Sequence, residues 1–250
     1  MYTHIKGVQI LISLLKQFNI SHVVLSPGTR NTALAGSIEN DPFFHCYSIV
    51  DERSAGYFAL GLSEALDEPV CVSCTAATAT CNYLPAMKEA YERNIQLVAL
   101  TADQNPYEMF HMEDQCIDQV DMFHGYVKLA VDVPKVMNDA DYWYCNRRMN
   151  EAFLELDHHG KGPIQINYHM SYDLNEISTY DVEELPVTRK IDRYEINADF
   201  AEFANMLSSK KRIMVVGGSE FTEDGKLRRA INTFTETVSY THLRAHETLM

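Results

Sequence analysis

The chain has 250 residues, room for one large domain or one domain and part of another, and its 21 Lys and Arg against 35 Asp and Glu leave a formal charge of −14. That balance argues against nucleic acid and against an anionic membrane surface, since both are held by a basic face. A hydrophobic fraction of 46% supports a packed core, and neither an apolar run of the roughly 20 residues a membrane helix needs nor a signal peptide is present, so the expected location is the cytoplasm.

In chain order, Ile5, Val8, Ile12 and Leu15 recur at helical spacing and predict a helix to about Asn19. A β-branched run at 22–26 stops at Pro27-Gly28, and a helix follows through about Asn40. A strand near 45–50 leads to Asp51, an N-cap for a helix bearing Ala55, Phe58, Ala59, Leu62 and Leu66. Strand 70–74, helix 82–93 and strand 96–101 complete an alternation that predicts an α/β fold, a parallel sheet with helices on both faces. Beyond a polar stretch to about Phe123, residues 127–133 suggest a strand. Asn138 caps a helix that Gly160 should end, with His158 and His159 in its last turn as structural residues. Residues 162–167 form the closing strand. The expected organisation is one domain over 1–170, a polar linker over 171–209, and the start of a second α/β domain over 210–237.

The six cysteines are expected as free thiols. Cys71 and Cys74 have zinc-like spacing, but they lie in a strand, where positions three apart face opposite sides.

Ligands in parallel α/β sheets bind at the carboxyl ends of strands, and three segments occupy such positions. Ser26-Pro27-Gly28-Thr29-Arg30-Asn31 offers amides, a hydroxyl and a guanidinium to a carboxylate or phosphate, or is a turn and helix cap with a solvated Arg. Asp51-Glu52-Arg53 offers a carboxylate, or only the acidic first turn that helices commonly carry. Thr75-Ala76-Ala77-Thr78 and the following residues to Asn82 let a flat ligand approach the backbone, or form a plain loop.

Together and in this order, the motifs S-P-G-T-R at 26–30, D-E-R-S-A-G-Y-F-A-L-G-L at 51–62, the Thr75–Ala86 segment, L-T-A-D at 100–103 and D-Q-C-I-D-Q-V-D-M-F at 114–123 resemble the N-terminal half of thiamine diphosphate (ThDP) enzymes. They look most like the menaquinone-pathway family that joins decarboxylated 2-oxoglutarate to isochorismate. The resemblance covers residues 1 to about 237, including K-R-I-M-V-V-G-G at 211–218.

It implies that Glu52 is catalytic, sharing a proton with N1′ of the cofactor's aminopyrimidine, with Phe58 and the small residues at 75–79 supplying an apolar wall. It implies cofactor contacts from Pro27, Gly28, Glu52, Thr75, Ala76, Ala77, Thr78 and Asn82. Substrate contacts, to a 2-oxo acid donor and a carboxylated acceptor, would come from Thr29, Arg30, Gln104 and Gln115. Two positions depart from the family. Gln104 stands where it usually has Arg, which leaves another carboligase or a 2-oxo acid decarboxylase as the alternative, and Ala76-Ala77 stands where it usually has Ser-Gly. The diphosphate-binding half, with its G-D-G…N-type motif and Mg²⁺ site, has no match in this chain. The resemblance implies a homodimer or homotetramer with the site between subunits, and little activity from this portion alone. A non-catalytic binding domain is the remaining alternative for a naturally short chain. Residues 238–248 resemble a translated sequencing adapter, so 238–250 is expected to be a non-native tail.

Overall fold

The computed structural model describes residues 1–170, 173–193, 200–210, 213–217, 225–237 and 241–244. The chain divides into two compact units, Met1–Arg193 and Tyr194–Met250.

The first unit opens with β1 (Tyr2–Thr3) and α1 (Lys6–Gln17), then β2 (His22–Leu25), α2 (Thr32–Glu39), β3 (His45–Ser48), α3 (Glu52–Leu66) and β4 (Val70–Cys74). A short α4 (Thr78–Cys81) precedes α5 (Leu84–Glu92) and β5 (Leu97–Asp103). The helix expected over 82–93 therefore starts later, after a break at Asn82-Tyr83. Pro85 lies in the first turn of α5, where a missing N–H costs nothing, but it could not continue a helix arriving from α4. The remaining elements are β6 (Leu129–Val133), α6 (Asp139–Leu154), β7 (Ile164–His169), α7 (Leu174–Ile177) and β8 (Tyr180–Val182).

Six strands form one sheet in the order β3-β2-β4-β5-β7-β6, parallel at every pairing. The central β4 and β5 are buried at every residue, as expected of a parallel sheet covered on both faces. Alternation along the strands feeds two cores. Val23, Leu25, Cys71, Val98 and Leu100 join α1, α2 and α6 on one face. Val24, Val70, Val72, Cys74, Leu97 and Ala99 join α3 and α5 on the other. Cys71 and Cys74 thus point to opposite faces, both buried, whereas Cys46 and Cys81 are exposed. Burial pushes the Cys74 thiol up to about 12 and that of Cys71 higher still.

Asp51 caps α3 by accepting from the Ser54 amide at 2.7 Å, and Asn138 caps α6 through the amides of Ala140 and Asp141. Helix α6 ends at Leu154, earlier than Gly160. Glu155 and Asp157 follow, and negative charge at a helix's carbonyl end is unfavourable. Leu156 then turns into the core. His158 and His159 lie in the turn beyond the helix, with His158 Nδ1 3.0 Å from the Glu155 carboxylate.

Residues 173–193, expected within a linker, pack onto the first unit. Strand β8 pairs antiparallel with β1, and Tyr180 donates to the Thr32 carbonyl. The Thr188 hydroxyl lies 2.6 Å from that of Ser13, and Ile191 N–H donates to Asn150. The second unit contains α8 (Ala201–Ser208), β9 (Met214–Gly217), α9 (Gly225–Thr237) and β10 (Thr241–Arg244). Strand β10, from the terminal stretch set aside on sequence grounds, pairs in parallel with β9. Residues 238–240 and 245–250 of that stretch lie outside the described residues.

Candidate active site

The carboxyl ends of β2, β4 and β5 meet at one edge of the sheet, and most candidate residues gather there. After β2, the Ser26 amide continues the ladder to the Ser73 carbonyl, and the buried Asn31 side chain donates to Ser26 O and Ser73 Oγ, fixing the turn between them. Gly28 is pressed against Thr75, so that a Cβ at Gly28 would sit 2.4 Å from Thr75 Cβ. The Arg30 amide donates to Thr75 Oγ1 at 3.3 Å, which ties the two strand-end segments together.

Arg30 is only 5% exposed, and its guanidinium reaches Gln115 Oε1 at 3.4 Å. Thr29, Arg30, Gln104 and Gln115 line a single cavity of about 630 Å³, together with Glu108, Glu113 and Asp114. The four residues expected to contact substrate are thus brought together from three parts of the chain. The acidic neighbours were not anticipated. They add acidic residues beside the single guanidinium of the lining. Gln104 is buried at the end of β5, where its amide nitrogen donates to the Asp114 carbonyl.

The cofactor-side residues are arranged around Thr75. Ala76 and Ala77 are buried, Thr78 is exposed, and Pro27 is exposed on the turn opposite. Asn82 is exposed at the far end of α4, with its amide spent on the Thr78 carbonyl. Glu52 stands apart as the first residue of α3, half-exposed and outside the cavity lining. Its side chain makes no hydrogen bond or ion pair among the described residues. Phe58, expected as an apolar wall, is 42% exposed and packs against Tyr47.

Beneath this edge runs a buried polar network centred on Asn167 and His169, two residues that the sequence did not single out. Asn167 Nδ2 donates to Asp103 and Asp132 at 2.8 and 2.7 Å, and Asn167 Oδ1 accepts from Thr101 and Gln119. Asp103 Oδ1 accepts from the Gln104 amide at 2.7 Å. His169 turns Nε2 to the Asp132 carboxylate at 3.0 Å and Nδ1 to the Gln104 carbonyl. Both ring nitrogens face acceptors, so the imidazolium, with two donors, satisfies both. Burial alone would lower the His169 pKa, but Asp132 outweighs it and the net shift is upward. Burial likewise works against Asp132, yet His169 and Asn167 hold it below the usual carboxylate range, while burial prevails at Asp103 and raises it.

Signs follow from these directions. The His169 contribution to stability is fully present below the ordinary imidazole value of 6.5 and is lost as pH rises through the raised folded value. The Asp132 contribution is lost as pH falls below 3.8 through its depressed folded value, whereas the cost of burying the Asp103 carboxylate is relieved above 3.8, as pH falls through its raised folded value. The denaturation midpoint is expected to fall on raising pH above 6.5, with a shallower fall in His169→Asn. Parallel curves for the two proteins above that pH would remove His169 from the effect.

Among the described residues no group of three or more His, Cys, Asp and Glu is placed to hold a metal. No described helix is long and apolar enough to cross a membrane. The strand-end chemistry fits the pyrimidine end of ThDP. Glu52 offers a partly exposed carboxylate at the start of α3 that makes no hydrogen bond or ion pair among the described residues, and Ala76 and Ala77 put only small side chains beside the backbone.

Residues 5–122 match the family described as "Thiamine pyrophosphate enzyme, N-terminal TPP binding domain". A 2-succinyl-5-enolpyruvyl-6-hydroxy-3-cyclohexene-1-carboxylate synthase of Bacteroides fragilis is 40% identical over 222 residues, 87% of this chain and 40% of that protein. Synthases with the same name from Porphyromonas gingivalis and Staphylococcus aureus are 37% and 34% identical, over 87% of this chain and 38% and 39% of theirs. The chain therefore spans about 40% of the length of these curated relatives. Among solved structures, benzoylformate decarboxylase from Polynucleobacter necessarius matches 98% of this chain and 44% of its own, with a TM-score of 0.58 at 20% identity, a likeness of fold. With the parallel sheet, the family match and five motifs in order, residues 5–122 form a domain of the thiamine pyrophosphate enzyme N-terminal family, and the chain is similar over most of its length to the 2-succinyl-5-enolpyruvyl-6-hydroxy-3-cyclohexene-1-carboxylate synthases.

Proposed function

We propose that this chain is the pyrimidine-binding part of a ThDP-dependent carboligase that adds decarboxylated 2-oxoglutarate to isochorismate. The observation that carries this reading is the convergence of Thr29, Arg30, Gln104 and Gln115 on one cavity beside the Thr75–Thr78 backbone. Bound ThDP supplies the nucleophilic carbon and the electron sink for cleaving a 2-oxo acid. Glu52 exchanges a proton with the pyrimidine ring, and no hydrogen bond or ion pair among the described residues competes for its carboxylate. Pro27, Gly28 and Thr75–Thr78 present backbone and small side chains to the ring, and Asn82 holds the end of α4 behind them. Arg30 takes a substrate carboxylate, and Thr29, Gln104 and Gln115 add neutral hydrogen bonds. Mg²⁺ and the cofactor's diphosphate would be held by residues outside this chain. The enzyme would act in the cytoplasm as a homodimer or homotetramer.

A second reading, a ThDP carboligase or 2-oxo acid decarboxylase with another acceptor, is favoured by one observation. Gln104 brings no charge to a cavity that already holds Glu108, Glu113 and Asp114. The active enzyme supplied with 2-oxoglutarate, isochorismate, ThDP and Mg²⁺ separates the readings. A carboligation adduct is expected. Decarboxylation without adduct would favour the second reading, and absence of any ThDP-dependent decarboxylation would overturn both.

A further inference from the structure

Ala77 holds φ +65° and ψ −123°, a region that a Cβ disfavours and that glycine enters readily. Strain of this kind persists only where the surroundings over-determine it. Here one buried side chain holds the Ala77 amide, while the Ala77 carbonyl accepts from the Cys81 N–H. The Ala77 amide donates to Gln119 Oε1 at 2.8 Å, and Gln119 is fully buried. The other end of the same amide group, Gln119 Nε2, donates to the Ala102 carbonyl at 3.1 Å and to Asn167 Oδ1 at 2.8 Å. Flipping the amide would set NH₂ against an N–H and its oxygen against two acceptors, so the orientation is fixed by its partners. Asn167 in turn is held by Asp103, whose carboxylate seats the Gln104 amide on the cavity wall.

We infer that Gln119 is a positioning residue. It clamps Ala77 in the glycine-like conformation that keeps the Thr75–Thr78 backbone against the cofactor ring, and through Asn167 and Asp103 it joins that loop to Gln104. The ligand in this inference rests on the proposed ThDP function. The clamp itself rests on the backbone angles and hydrogen bonds. Ala77 costs the loop conformational ease, and Gln119 offsets that cost from 42 residues away.

The test uses the active enzyme. Gln119→Met keeps the buried volume and removes both hydrogen-bonding ends. Its KM for ThDP is expected to rise about tenfold or more, with a smaller change in kcat at saturating cofactor. Adding Ala77→Gly is expected to return KM to within about threefold of the parent, because glycine holds the conformation without a clamp. The melting temperature of the double variant should stay low, since Ala102 O and Asn167 Oδ1 remain without Gln119. A KM that Ala77→Gly leaves unrestored would make Gln119 merely structural and overturn the inference. If Gln119→Met does not fold, Ala77→Gly alone decides. It is expected to raise the melting temperature by about 2–4 °C, whereas a lower melting temperature would remove the strain on which the clamp depends. A parent enzyme showing neither ThDP-dependent turnover nor a ThDP-induced thermal shift would overturn the functional reading, and the melting arm would still report on the clamp.

Discussion

Glu52→Gln in the active enzyme is expected to lower kcat by about 10²-fold or more at saturating ThDP and 2-oxo acid, the scale of a positioned proton-transfer group. Glutamine keeps the size and hydrogen-bonding reach of the side chain but cannot exchange a proton at the ring. Stability should change little. The Glu52 side chain has no hydrogen bond or ion pair among the described residues, and the cap of α3 comes from Asp51, which stays in place. The remaining cost is the loss of one negative charge in a helical first turn, about 0.3–1 kcal/mol. Turnover and thermal melting measured on the same preparation separate the two effects. Unchanged turnover would take Glu52 out of the mechanism, and a melting loss matching the activity loss would make its role structural.

Gly28→Ala should act through packing instead. The added Cβ would lie 2.4 Å from Thr75 Cβ and 2.7 Å from Thr75 Cγ2, so one of the two strand-end segments has to move. Overpacking of this kind costs about 1–3 kcal/mol. Movement here also breaks the bond from the Arg30 amide to Thr75 Oγ1, which carries the guanidinium away from the cavity. The expected result is a lower denaturation midpoint together with a raised KM for the 2-oxo acid. Because the collision is with Cβ itself, Thr75→Ala in the Gly28→Ala background should recover little stability, and Thr75→Gly should recover more. Recovery by Thr75→Ala would place the clash at the threonine methyl, and a midpoint equal to the parent's would remove the close approach altogether.

Features with local causes were legible in the chain. Asp51 caps α3 because a short carboxylate beside the first free amides is a matter of three residues. The placement of Cys71 and Cys74 on opposite faces follows from the two-residue repeat of a strand. The end of α6 was read too late, because Gly160 is a reasonable stop signal and the turn of Leu156 into the core is a tertiary event. Residues 173–193 look like a linker for the same reason. Their polar composition is satisfied by Ser13, Gln17 and Asn150, and Thr188 lies 175 positions from Ser13.

The candidate site divides along the same line. Arg30, Glu52, Gln104 and Gln115 could be named from motifs, since residue type and order carry that information. Gln119 stands in the same motif as Gln115, but its residue type and position carry no signal of a role there. Its importance comes from the backbone angles of Ala77, which residue identity does not specify. Asn167 and His169 were likewise invisible as isolated polar residues in a strand. They matter because β5, β7 and β6 lie side by side and bring Asp103 and Asp132 to them. By itself the sequence determined the α/β alternation, the helix caps and the inventory of reactive side chains, all set by short-range periodicity and chemistry. Only the tertiary structure decided which of those side chains share a cavity, where a non-glycine residue is held under strain, and how its buried partners are satisfied, because burial leaves each polar group to be paired by whatever the fold brings within reach.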